Sequence, residues 1–185
     1  MRWIVLSRPY ALSSRVTPQN KADDPTLGEK PKFAHFYLRQ MTAEQLYESL
    51  LTATEADKTA RAEDAAKTKD KWLSQFVIAF GTDEGDESTT FNGSIPQVLM
   101  MFNGELVKQA TSLGKGSFLD RVVTDAGSND TRINALYMAA LARKPTGSEL
   151  KVASAMVAAR KGNVADALQD VWWAVLNSNE FILNH

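Results

Sequence analysis

The stretch from Leu168 to His185, LQDVWWAVLNSNEFILNH, constrains the fold more than any other part of the chain. Leu168, Val171, Trp172, Val175 and Leu176 stand at offsets of 0, 3, 4, 7 and 8. That spacing lines one face of a helix with 3.6 residues per turn. Asn177 and Glu180 then have the spacing of a capped break ahead of a short final turn around Phe181 and Leu183. The same five offsets occur at Ile133, Leu136, Tyr137, Ala140 and Leu141. Pro145 ends that helix, because it cannot donate its backbone N–H. Thr146 and Glu149 form a capping box ahead of Leu150, Ala153 and Val157. Gly162-Asn163 marks the next turn.

Upstream, the signals remain helical. Thr42 and Gln45 have capping-box spacing, and Leu46, Tyr47, Leu50, Leu51 and Ala53 share one broad face. A second helix carries Trp72, Leu73, Phe76, Val77 and Phe80, with Gly81 a fitting C-terminal stop. Ser94 can cap a third, in whose first turn Pro96 costs little. Asn103-Gly104 breaks that helix before Glu105. Between the first two lies EADKTARAEDAAKTKDK, residues 55–71, Ala-rich and charged on all sides. Residues 8–32 are irregular, interrupted by Pro9, Pro18, Pro25 and Pro31. In KFAHFYLRQ, apolar residues occupy both alternating faces, which predicts a buried extended segment over Phe33 to Leu38. Trp3 to Leu6 has the character of the last turn of a core helix whose beginning lies upstream.

These signals predict an all-α protein, an irregular multi-helix bundle with a long N-terminal loop segment. Residues 1–185 form one helical domain, divisible into a loop-and-helix lobe over 1–60 and a helical bundle over 66–185. Apolar residues make up 44% and charged residues 23% of the chain, a globular balance. The formal net charge of −1 supplies none of the cationic excess that draws a protein broadly to nucleic acid or anionic membrane. No apolar run approaches the ~20 residues of a membrane span.

Candidate chemistry is sparse. There is no Cys, which excludes disulfides, thiol catalysis, thiolate metal sites and a C-x-x-C-H haem attachment. Asp83, Glu84, Asp86 and Glu87, in an acidic loop over 82–93, offer hard oxygen ligands of the kind calcium takes. Their spacing lacks the alternating positions, central Gly and closing Glu of an EF-hand loop, so a solvated acidic loop is the reading. His35 and His185 are the only histidines, too few for a transition-metal site without carboxylate help. Ser7, Ser13 and Ser14 lie outside any G-x-S-x-G turn. Gly114, Lys115, Gly116 and Ser117 mimic part of a phosphate loop, but lack its upstream Gly and preceding strand; they predict a turn between helices. Lys30, Lys32, His35 and Arg39 interleave with Phe33, Phe36 and Tyr37, only a loose likeness to a single-strand stacking surface. Trp172 and Trp173 point about 100° apart on a helix, so Trp172 faces the core and Trp173 lies off its centre, open to packing on another lobe or on a missing part of a parent protein; a sugar-binding platform is the alternative, though aromatic rings are more often core or interface. No residue is assigned to catalysis, to a cofactor or to a metal.

Five segments in order carry a resemblance. They are SRPYALSSR at Ser7 to Arg15, FYLRQMTAEQLYESL at Phe36 to Leu50, FNGSIPQVLMMFNGEL at Phe91 to Leu106, INALYMAALARKPTGSEL at Ile133 to Leu150, and the terminal ALQDVWWAVLNSNEFILNH. Together they resemble the planctomycete domain of unknown function fifteen fifty-three, the C-terminal part of large exported bacterial proteins that often carry a cytochrome-c-like segment upstream. The resemblance implies a C-terminal fragment, a periplasmic or secreted location, and partners among upstream domains of a parent protein or other envelope proteins. It supplies no catalytic residues. Many members have a Cys-containing stretch where this chain has TDEGDESTTFNG, so a metal or redox role of those cysteines does not transfer. The expected function is a non-enzymatic structural or protein-interaction module. The alternatives are a carbohydrate-binding or hydrolytic accessory domain linked to polysaccharide breakdown, and a docking domain for a cytochrome-c-like electron-transfer partner.

Overall fold

The computed structural model describes residues 2–24, 30–59, 62–80, 95–125 and 127–184. They fall into two compact units. One comprises residues 2–24, 30–41 and 183–184; the other comprises the rest, from residue 42 to residue 182.

The first unit has little regular structure. It opens with the four-residue helix α1 (Arg2–Val5) and a 3-10 turn (Arg8–Ala11). Its only strands are β1 (Arg39–Gln40) and β2 (Leu183–Asn184), paired antiparallel with Arg39 opposite Asn184 and Gln40 opposite Leu183. The expected buried strand over Phe33 to Leu38 is not formed. Phe33 has φ +53° and is exposed, Leu38 is exposed, and His35 is the one buried residue of that segment. A left-handed residue cannot continue an extended chain, so the apolar alternation loses its meaning at Phe33. Trp3 to Leu6 is likewise exposed rather than core; Trp3 retains 91% of its surface.

The second unit is a helical bundle. It contains α2 (Ala43–Thr54), α3 (Ala62–Phe80), α4 (Ile95–Asn103), α5 (Glu105–Ala110), α6 (Phe118–Thr124), α7 (Asn129–Leu141), α8 (Gly147–Ala159), α9 (Val164–Leu176) and α10 (Asn179–Ile182). Helix α2 packs on α3, α5 and α7, so residues 42–59 belong with the bundle and not with an N-terminal lobe. The Ala-rich stretch expected as a boundary instead supplies a 3-10 turn (Ala56–Thr59) and the start of α3. Its charges pair locally, Lys69 with Asp57 at 2.6 Å, which lets a polar sequence remain helical.

Caps fix most of the helix starts. Thr42 and Thr146 make full capping boxes with Gln45 and Glu149. Ser117, Ser128 and Asn163 cap α6, α7 and α9 through side-chain oxygens. Each accepts from an amide that the first turn leaves without a partner. Helix α7 ends four residues before Pro145, at Leu141, where Ala142 turns left-handed with φ +53°. The cap of α10 is Ser178, whose Oγ accepts from the Phe181 amide; Asn177, the expected cap, instead closes α9 by donating Nδ2 to the Trp173 carbonyl. Gly81, Ser94 and the 82–93 loop lie outside the described residues.

The core joins α2, α3, α5, α6, α7 and α9. Leu46, Leu50, Phe76, Leu106, Leu119, Ile133, Leu136, Leu168, Trp172 and Leu176 are almost wholly enclosed. All five stripe residues of α9 are buried; of the corresponding α7 stripe, Ile133 and Leu136 are buried while Tyr137, Ala140 and Leu141 are half-buried. Trp172 is the keystone. Its ring lies tilted against Phe118 at 5.2 Å, and its indole Nε1–H donates to the Ala110 carbonyl at 3.0 Å. That carbonyl belongs to the last turn of α5, where helical partners run out. Gln169 reinforces the join by donating to the Thr111 carbonyl at 2.7 Å.

Candidate functional site

The residues singled out from the sequence do not converge. Ser7 Oγ donates to the Ile4 carbonyl and Ser13 Oγ accepts from the Arg15 amide, so both shape local turns. The Gly114–Ser117 stretch is a turn between α5 and α6: Gly116 has φ +83°, Ser117 caps α6, and the Gly116 amide donates to Asp120 rather than facing an open cradle. The acidic residues Asp83, Glu84, Asp86 and Glu87, and His185, lie outside the described residues. Among the described residues no group of three or more His, Asp or Glu is placed to hold a metal ion. No described helix is long and apolar enough to cross a membrane.

Three features emerge that sequence reasoning did not single out. The first is a clasp in the N-terminal unit. Asp23 is buried, and its carboxylate accepts from the Lys32 amide (2.8 Å), the Ala34 amide (2.7 Å) and the Tyr37 hydroxyl (2.7 Å). Tyr37 Oη in turn accepts from the Phe33 amide at 3.0 Å. Burial opposes the Asp23 charge, but these donors outweigh it and hold the carboxyl below its usual value. Burial and the bond to Asp23 push the Tyr37 hydroxyl up. His35 packs edge-on against Tyr37 at 5.0 Å, with its Nδ1 buried and without a hydrogen-bond partner. This network folds residues 30–37 over Asp23 and accounts for the left-handed Phe33.

The second is a guanidinium clamp in the bundle. All five N–H groups of Arg143 are engaged. Nε and Nη2 donate to Glu180 at 2.6 and 2.5 Å, Nη1 and Nη2 donate to Glu149 at 2.9 and 2.8 Å, and Nη1 also reaches the Lys144 carbonyl. Two bidentate pairs thereby tie the loop after α7 to the starts of α8 and α10. The clamp holds the Glu149 carboxyl down to about 2, chiefly through the Arg143 hydrogen bonds, and raises the Arg143 guanidinium. Its two carboxylates, Glu149 and Glu180, also line a groove of about 330 Å³, together with Leu141, Val152, Met156, Val171 and Ala174. With every donor committed internally, Arg143 offers nothing to an incoming anion.

The third is an apolar face on α3, α4 and α9. Helix α4 reads IPQVLMMFN and carries no charge. Its inner face buries Gln97 and Met101, while Leu99 (55% exposed) and Phe102 (47%) are three apart and share the outer side. Across from them Ile78 of α3 keeps 83% of its surface. Ile78 and Leu99 border a shallow groove of about 350 Å³, together with Ala79, Pro96 and Met100. Trp173, 36% exposed, continues the face by resting against Phe102 at 5.2 Å. Trp172 faces the core and Trp173 lies off it, as the sequence implied. The sequence signal for the rest was the missing charge on α4, which reads equally as a buried helix.

Comparison of the chain with protein-family models, with curated proteins and with solved structures gave no match in any of the three.

Proposed function

We propose that this chain is a helical protein-interaction module with no catalytic role of its own, and that the α3–α4–Trp173 face is its contact surface. The observation that carries the reading is the clustering of Ile78, Leu99, Phe102 and Trp173 on one exposed, uncharged face. Single exposed apolar side chains are ordinary, whereas contiguous ones mark surfaces that are covered when the protein works. Aromatic anchors ringed by aliphatic side chains have the composition of an interface centre. The strong polar clusters of the described residues, around Asp23 and Arg143, are turned inward as clasps. The ordered resemblance to the C-terminal domain of exported planctomycete proteins is in keeping with the same reading, and implies a periplasmic or secreted location with upstream domains or other envelope proteins as partners.

Site-specific photocrosslinking tests it. A photoreactive side chain at Leu99 or Ile78 is expected to yield protein adducts in cells producing the chain, while the same group at Lys151 or Lys161, on exposed surface of α8 and the following turn, yields none. Equal adduct yields at all four positions would overturn the assignment of the face.

A further inference from the structure

We propose that the segment from Arg2 to Arg15 docks on the surface of an anionic phospholipid bilayer, with Trp3 to Leu6 entering the headgroup layer and the flanking basic side chains meeting lipid phosphates. The segment belongs to the N-terminal unit, so the inference stands apart from the contact surface proposed above. Two observations select this occupant. The first is charge. The net charge of −1 conceals an asymmetry: residues 1–41 hold seven basic and three acidic side chains, against fourteen and nineteen in the rest of the chain. Between Arg2 and Lys21 there is no acidic residue. Arg2, Arg8, Arg15 and Lys21 are all exposed, and none makes an ion pair among the described residues. In the bundle, by contrast, Lys58, Lys69, Lys71, Arg121, Arg143 and Arg160 each hold a carboxylate. The basic side chains of the N-terminal segment are left for an anion outside the chain.

The second is the apolar surface set among these charges. Trp3 (91% exposed), Ile4 (66%), Val5 (50%), Leu6 (74%) and Tyr10 (61%) present on the order of 500 Å², more than monomers commonly leave open. The segment is internally tied: the Leu6 amide donates to the Arg2 carbonyl at 3.1 Å, Ser7 Oγ to the Ile4 carbonyl at 2.7 Å, and the Tyr10 amide to the Ser7 carbonyl at 3.2 Å. Successive residues on a helical turn point about 100° apart, so Trp3 to Leu6 surround the turn on all sides. A protein groove covers one stripe of a helix, whereas a fluid headgroup layer can enclose every side. Ile4, Val5 and Leu6 offer no ring on which a nucleic-acid base could stack, so the aliphatic run favours a lipid surface over a single strand. Trp and Tyr beside Arg is the mixture suited to a membrane–water interface, where an indole or phenol keeps one end apolar and the other wet.

Co-sedimentation of the full chain with lipid vesicles tests the inference. Binding to phosphatidylcholine vesicles containing about a third phosphatidylglycerol is expected to be roughly ten-fold or more tighter than to phosphatidylcholine alone, and to fall as salt rises from about 0.05 to 0.5 M. Tryptophan emission should shift to the blue on binding, because Trp3 is the most exposed of the four tryptophans, and Trp3→Phe should lose most of that shift. Ile4→Asp is expected to weaken binding roughly ten-fold or more. Arg8→Gln combined with Arg15→Gln is expected to weaken it about 25-fold, each basic residue near an anionic surface being worth about five-fold. All these positions are exposed, so circular dichroism and melting should not change, and Ile78→Glu on the α3–α4 face is expected to bind as the parent does. A chain that binds neither vesicle, or both equally, overturns the inference, as does binding that Ile4→Asp and the double Arg variant leave unchanged. Capture of a single-stranded oligonucleotide with the same Trp3 shift, in place of vesicles, would overturn it in favour of a nucleic-acid partner.

Discussion

Replacing Trp172 by Phe should destabilise the bundle far more than its conservative chemistry suggests. Trp172 is fully enclosed, and its Nε1–H is the donor seen at the Ala110 carbonyl. Phe retains a six-membered ring to pack against Phe118 but removes the donor. The carbonyl at the end of α5 is then buried without a partner, which costs about 1–3 kcal/mol. The missing part of the indole leaves a small void, adding about 1 kcal/mol, well short of the ~3–5 kcal/mol of full truncation to Ala. The sum is about 2–4 kcal/mol. For a chain of this size each kcal/mol lowers Tm by about 2–4 °C, so a fall of roughly 5–15 °C is expected in a thermal melt followed by far-UV circular dichroism. Trp173→Phe is the control: its ring is partly solvated and keeps Phe102 as neighbour, so a shift of about 2 °C or less is expected. Equal melting temperatures for the two variants would refute the keystone role of Trp172.

Three further outcomes follow from named contacts. Glu149 has a depressed folded-state value, so its contribution is fully present above the unfolded value of 4.5 and is lost as pH falls toward about 2. Arg143→Leu should cost on the order of 1 kcal/mol at pH 7, modest because the side chains of Arg143 and both partners keep about a third of their surface in water, and should flatten the stability loss between pH 4.5 and 2 in urea titrations; an unchanged acid slope would contradict the clamp. A Cβ at Gly104 would lie 2.5 Å from the Met100 carbonyl oxygen and 2.6 Å from Met100 Sδ, and the backbone oxygen cannot swing away. Gly104→Ala should therefore cost about 1–3 kcal/mol, because it displaces the end of α4; parental melting would show that the junction has slack. Ser178→Ala should cost about 1 kcal/mol through loss of the α10 cap, measured by equilibrium unfolding, and no loss would mean that α10 is held by packing alone.

Local order was written plainly in the sequence wherever one residue and its near neighbours decide the outcome. The capping boxes at Thr42 and Thr146 depend on residues three apart, and the stripe from Leu168 to Leu176 depends on helical periodicity alone; all of these form. The break at Asn103-Gly104 was legible for the same reason, Gly104 being the N-cap of α5. What depends on distant partners was not legible. Glu180 is 37 residues from Arg143, and nothing in NSNEF shows that its carboxylate turns back to a guanidinium instead of completing a cap on Asn177. The Phe33–Leu38 segment misled because its apolar alternation says nothing of Asp23, whose carboxylate gathers the Lys32 and Ala34 amides into a turn. The exposed apolar face proposed as a contact surface was hidden for a different reason. Periodicity separates apolar from polar sides but cannot separate an apolar side that is covered from one left open, and α4 is apolar on both. On α3 the expected stripe holds at Trp72, Phe76 and Phe80, while Val77 and Ile78 turn outward.

Site-specific photocrosslinking in cells producing the chain tests the central claim most directly, because it reports which surface is covered. Photoreactive side chains at Ile78, Val98 and Leu99 are expected to give protein adducts of one common mass, while one at Val152 on α8 gives none. No adduct at any of the three face positions, or adducts at Val152 while Ile78 and Leu99 give none, would contradict it.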